Sequence, residues 1–255
     1  MEGNRRLVLH LRPGRPGHLV PLGTDGEGRE RFILHVGRHL ALVARVVSAW
    51  AHILAPGRVE VLLPGDRPVP PPPDTQPVSD GTRCVVYHCF GGAHTSVVAG
   101  AIHLGLLPER PSWRQVAAFP LFDRAATRDR GWPLYLGTDD RGRRVYAMGR
   151  GRDTRGTTLV LEGLLRALHL DGRVTQHDTL ACAGPLTKLG GYLSRRLGLV
   201  RPGRTLAAVG VTRDIPRLLR VVEQARGSPG RRAPARVISA GPVRRRESSP
   251  AGEDG

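Results

Sequence analysis

The tightest constraint on the fold is the stretch CVVYHCFGGAHTSVVAGAIHLGLLP, residues 84–108. It predicts a buried strand, a turn with two glycines, a pair of hydroxyl residues and a small-residue helix closed at Gly105. Val85, Val86 and Tyr87 are β-branched or aromatic, as a strand interior prefers. Gly91 and Gly92 can take φ > 0 and let backbone come close to a ligand. Thr95 or Ser96 is expected as the N-cap or first turn of the helix. A helix start carries free N–H groups and a partial positive charge of about half a unit, which suits phosphate or carboxylate. Gly91, Gly92, Thr95 and Ser96 are therefore candidate phosphate-binding residues. His94 could hold an anion or move a proton near neutral pH. The plain alternative is a tight strand-to-helix turn without a ligand. GGAHTS has neither the lysine nor the spacing of G-x-x-x-x-G-K-[ST], so the loop is P-loop-like without being a Walker motif.

Four segments are expected around this stretch. Residues 1–63 form a small N-terminal unit of a strand, a hairpin, a helix near 39–55 and a strand at 58–63. Residues 64–82 are a Pro-rich extended linker. Residues 83–226 form the main domain, and 227–255, rich in Gly, Pro, Ser and Arg, a disordered basic tail. Within the main domain Ser112 caps a short helix before FPLF at 119–122. A hairpin follows with its turn at Asp139–Gly142. Then come a helix at 157–170, a strand RVTQHDTL, a helix LTKLGGYLSRRLGL, a strand TLAAVGV at 205–211 and a final helix IPRLLRVVEQAR. This alternation implies an α/β fold of three layers around a mainly parallel sheet, Rossmann-like or P-loop-like. Ligands in such sheets bind beyond the carboxyl ends of the strands. The loop should meet His177, Asp178, Thr179 and Cys182 there, and Thr212, Arg213 and Asp214.

The N-terminal unit carries a partial repeat of the main domain. LGTDGEGRERFILHVGR at 22–38 aligns without a gap on LGTDDRGRRVYAMGRGR at 136–152. The simplest account is an internal duplication whose first copy lost the glycine loop.

The formal net charge of +17 invites a nucleic-acid reading, yet Lys188 is the only lysine among 39 basic residues. Such a skew reads as an arginine bias spread along the chain. Aromatics make up 4% of residues, too few to interleave with Arg as stacking platforms. Nucleic acid is therefore a less favoured partner. Cys84, Cys89 and Cys182 form no disulfide framework, which suits a reducing cytoplasm. The N-terminus shows no signal-peptide pattern, and Arg38, His39 and Arg45 interrupt the apolar run 32–55, so no membrane partner is expected.

Cys89 precedes the loop, where a helix N-terminus lowers a thiol's pKa, and is a candidate nucleophile. A C-x5-R loop would need Arg where Thr95 stands, and a core thiol at the strand end is the competing reading. Cys89, His94, His177 and Cys182 have no chelate spacing, so no metal is assigned, and the cofactor is unknown. Asp178, at a strand end, could hold a metal or orient His94, and a helix-entry cap is the competing reading. Lys188 and Arg213 are further candidates for phosphate contact. Gly190 and Gly191 inside a helix point to close packing or a ligand's approach.

CFGGAHTSVVAGAIHLGLLP, FDR at 122–124, GTDDRGRRVYAMGRG and GGYLSRRLGL resemble a bacterial family known as domain of unknown function 3189, over about 83–226. The resemblance implies a shared domain and loop but no reaction. The expected function is binding of a phosphorylated small molecule or nucleotide at the loop, with phosphoryl transfer as the candidate chemistry and His94, Cys89 and Asp178 as its catalytic residues. The alternative is a non-catalytic interaction or RNA-associated protein in which the loop is only a turn.

Overall fold

The computed structural model describes residues 5–72, 75–124, 129–151 and 153–227. From residue 228 on, the expected tail lies outside the described residues. The N-terminal elements are β1 (Leu7–Pro13), β2 (Leu19–Thr24), β3 (Glu30–Val36), α1 (Leu40–Leu54), β4 (Val59–Leu63) and the short β5 (Arg67–Pro68). The rest are β6 (Cys84–Cys89), α2 (Thr95–His103), α3 (Trp113–Ala118), β7 (Pro133–Thr138), β8 (Arg144–Gly149), α4 (Thr154–Ala167), β9 (Val174–Asp178), α5 (Pro185–Arg196) and α6 (Val200–Arg226).

This is a mixed α/β protein with two sheets, one built from the N-terminal strands and one from the later strands. Their strand orders are β2-β3-β1-β4-β5 and β7-β8-β6-β9. In each, a central strand (β1 or β6) pairs in parallel on both sides, and an antiparallel hairpin forms one end. The correspondence reaches single residues. Both hairpins bulge at the same place, between Pro21 and Gly23 and between Tyr135 and Gly137. In both turns an aspartate accepts two backbone N–H bonds and one guanidinium bond. Asp25 does so from Glu27 and Arg29, and Asp139 from Arg141 and Arg143. Such an aspartate holds a turn because its side chain replaces backbone acceptors. The halves differ after the central strand. Residues 14–18 link β1 directly to β2, whereas the link from β6 to β7 carries the glycine loop, α2 and α3.

Successive side chains of a strand point to opposite faces, and the two faces of β6 enter different cores. Cys84 and Val86 pack with Leu9 and Leu11 of the first sheet, Trp50 of α1 and Leu161 of α4, which places α1 and α4 between the sheets. Val85 and Tyr87 pack with Val98 of α2, Val116 of α3 and Val211 and Leu218 of α6. The linker holds β5 and is fastened by buried Val78, whose N–H donates to Ile53 O at 2.9 Å.

The expected strand at 205–211 is instead part of α6. Its β-branched residues favour a strand locally, but its small residues fall at helical spacing and meet small residues of α5. A Cβ at Gly190 would lie 2.2 Å from Ala207 N, one at Gly203 2.4 Å from Ser194 N, and one at Gly210 2.3 Å from Thr187 N. The two backbones are in contact, so tertiary packing overrides local propensity. Asp214 then lies within α6 and not at a strand end. Its carboxylate caps α5 by accepting from Gly184 N (2.8 Å) and Thr187 Oγ1 (2.7 Å).

Candidate active site at the glycine loop

β6 is buried along its whole length and delivers Cys89 to the loop, where the cysteine is 4% exposed. α2 begins at Thr95, so His94 takes the N-cap position, without a side-chain cap bond. Thr95 and Ser96 thus stand in the first turn of α2, and both hydroxyls bond groups outside the helix. Thr95 Oγ1 accepts from Thr179 Oγ1 at 3.1 Å, and Thr179 N donates to His88 O, which ties the loop to the end of β9. Ser96 Oγ lies 3.2 Å from Cys89 Sγ.

Gly92 sits at φ 72°, in the region that favours glycine. The surface it approaches is the protein's own: a Cβ there would lie 2.5 Å from Gly149 N at the end of β8. A Cβ on Gly91, by contrast, would meet open space. Loop N–H groups converge on the Cys89 sulfur, with Gly92 N at 3.2 Å. Burial pushes this thiol up. The Ser96 hydroxyl and the backbone N–H groups of Ser96, His94 and Gly92 outweigh that effect and hold it below its ordinary value. The polar hydrogens of this turn are thus directed at the sulfur at its floor.

The carboxylate that orients His94 is Asp123, of the FDR segment. His94 Nε2 lies 2.9 Å from Asp123 Oδ1, and the ring packs edge-on against Phe122 with centroids 5.3 Å apart. Asp123 also accepts from Ser194 Oγ at 2.6 Å and Arg195 Nε at 3.1 Å, and its own N–H donates to Ala93 O at 2.9 Å. Its side chain is 1% exposed. Burial raises its carboxyl, but the bonds from His94 and Ser194 and the charges beside it hold it at about 2. Asp123 has φ 57°, which a non-glycine residue seldom adopts. The paired glycines of α5 divide the packing: Gly190 meets α6, while a Cβ on Gly191 would lie 3.0 Å from His94 Cε1.

Asp178 lies on the other face of the sheet from Cys89, in register with His88. Its Oδ1 accepts from Leu180 N at 2.7 Å and is 3.7 Å from His88 Nδ1. Lys188 is exposed on α5 and Arg213 on α6. Cys182 is buried in the α6-side core, and His177 packs against Tyr87 with ring centroids 5.6 Å apart. Among the described residues no group of three or more His, Cys, Asp or Glu is placed to hold a metal ion.

Arg130, Arg150, Asp123 and Arg195 are prominent polar residues that the sequence reading passed over. Arg150 is fully buried on the α4 side, donating to Thr158 Oγ1 and Gln176 Oε1, and burial lowers its guanidinium to about 9. Burial first, then the Arg150 charge, lowers neighbouring His88 to about 2; burial also lowers His177 to about 4. Both histidines are thus held neutral. Their contribution to stability is complete above the unfolded value of about 6.5 and is lost as pH falls toward the folded values. The urea midpoint should accordingly begin to fall below about pH 6.5, before carboxylates titrate. His177→Gln should flatten the profile between about pH 6.5 and 4. An unchanged profile in that variant would remove His177 as the cause.

Among the described residues no helix is long and apolar enough to cross a membrane. No curated protein and no solved structure matches the chain. A family model described as a protein of unknown function, DUF3189, matches residues 84–227, which include β6, the loop, the His94–Asp123 pair and the α5–α6 packing. The match spans more than half of the chain, so this protein belongs to the DUF3189 family.

Proposed function

We propose that the glycine loop handles a phosphoryl group carried on a small molecule or nucleotide, with Cys89 as nucleophile and His94 as proton carrier. The observation that carries this reading is the convergence of loop N–H groups and the Ser96 hydroxyl on Cys89 Sγ, which favours a thiolate in a buried place. In the proposed reaction an S–P bond forms as the P–O ester bond breaks. The leaving oxygen keeps the electron pair and takes a proton from His94. Water then attacks phosphorus, its proton passes to His94, and the S–P bond breaks to return the thiolate and release phosphate. Asp123 positions His94 throughout. Helices on both faces of the second sheet support a Rossmann-like or P-loop-like relation, and three free cysteines suit a cytoplasmic protein.

A second reading rests on the contact of Gly92 with Gly149. There the loop is a structural turn, the sulfur only satisfies its N–H groups, and the protein works through interactions, RNA included. Alkylation by iodoacetamide, resolved by cysteine with mass spectrometry, separates the two. Cys89 should react with a midpoint below the ordinary thiol value of about 8.5, orthovanadate should slow it, and Ser96→Ala should move the midpoint up. Reaction only on unfolding, or an ordinary midpoint, would favour the structural turn.

A further inference from the structure

Arg130 and Arg195 flank the loop from two directions. The Arg130 guanidinium carbon lies 4.5 Å from the centroid of the Phe90 ring, next to Cys89. Arg195 is held through Asp123, which bonds Ala93 and His94 at the loop's other end. Only three residues, Gly91 to Ala93, separate Phe90 from His94, so the two guanidinium groups face one short segment. Each keeps a buried nitrogen without a hydrogen-bond partner among the described residues: Nε of Arg130 and one terminal nitrogen of Arg195. A buried donor without a partner is costly and rare, here on two half-buried cations. Burial and then the charge of Arg195 lower the Arg130 guanidinium. The carboxylate there, Asp123, is already shared among His94, Ser194 and Arg195. Beside them, Gly91 leaves open space.

We infer that Arg130 and Arg195 form a guanidinium clamp for the non-bridging oxygens of a phosphate monoester over Gly91. Planar guanidinium forks suit a tetrahedral dianion better than ammonium groups do. The clamp supplies from outside the loop the arginine that a C-x5-R loop carries where this chain has Thr95. It rests on the proposed phosphoryl-handling site and names the ligand as a dianionic monoester.

The test is calorimetric titration of the full chain with orthophosphate at constant ionic strength and pH 7.5. Wild type is compared with Arg130→Gln, Arg195→Gln, Arg195→Lys and, as a control on the exposed β5 of the other sheet, Arg67→Gln. Arg130→Gln and Arg195→Gln should each weaken binding at least tenfold, Arg195→Lys should recover only part, and Arg67→Gln should leave it unchanged. Folded wild type that binds no phosphate, or clamp variants that bind as wild type does, would overturn the inference. Should Arg195→Gln fail to fold, Arg130→Gln carries the test. A low Cys89 alkylation midpoint without phosphate binding would sink the clamp and leave the nucleophile standing; phosphate binding with an ordinary thiol would do the reverse.

Discussion

Gly92→Val is expected to destabilise the protein by on the order of 4 kcal/mol and to raise the alkylation midpoint of Cys89. Two costs add. A β-branched residue at φ 72° is a backbone outlier. Its Cβ would also lie 2.5 Å from Gly149 N, a backbone atom of β8 that cannot swing aside as a side chain could. Either relief pulls the loop away from β8, and the Gly92 N–H then leaves the Cys89 sulfur. Gly91→Ala is the control: its Cβ meets open space, so stability should change by less than about 1 kcal/mol. Urea denaturation of both variants gives the comparison. Equal effects would mean that contact with Gly149 does not shape the loop.

Asp123→Ala should cost about 3 to 5 kcal/mol at neutral pH, the range for removing one partner of a buried ion pair. The loss leaves Arg195 without its carboxylate and His94 and Ser194 without their shared acceptor. Asp123→Asn keeps the shape and one acceptor, so it should cost less. The sign of the pH dependence follows from a folded value of about 2, below the unfolded value of about 3.9. The contribution is complete above about pH 4 and disappears as pH falls toward 2. The gap between wild type and Asp123→Ala should therefore narrow from pH 7 to pH 3 in urea titrations. A gap that stays constant would mean that the carboxylate's charge does not matter. His94 would then be held by packing against Phe122 alone.

Much of the chain was legible locally. Val85, Val86 and Tyr87 marked β6, Ser112 the cap of α3, and Asp139 with Gly142 the hairpin turn. Each of these depends on neighbours within a few residues, where side-chain shape and turn chemistry act directly. Gly92 was also identifiable as a residue needing φ > 0, but what it approaches was not. The site's polar partners come from far along the chain: Asp123 and His94 are 29 residues apart, and Ser194 and Asp123 are 71 apart. No spacing rule relates them. FDR and GGYLSRR stood out as segments without revealing that their polar groups meet.

What the sequence determined by itself is therefore the local elements, the glycine loop with its cysteine and hydroxyls, and the repeated hairpin with its aspartate turn. Tertiary structure decided the rest. It turned 205–211 from a strand into a helix, because Gly203, Ala207 and Gly210 find α5's backbone only across a folded interface. It placed Asp178 on the far side of the sheet and Asp123 beside His94. It also aimed the loop's N–H groups at a sulfur. Strand alternation and periodicity say which residues share a face, but which distant groups come to face each other depends on how the elements pack.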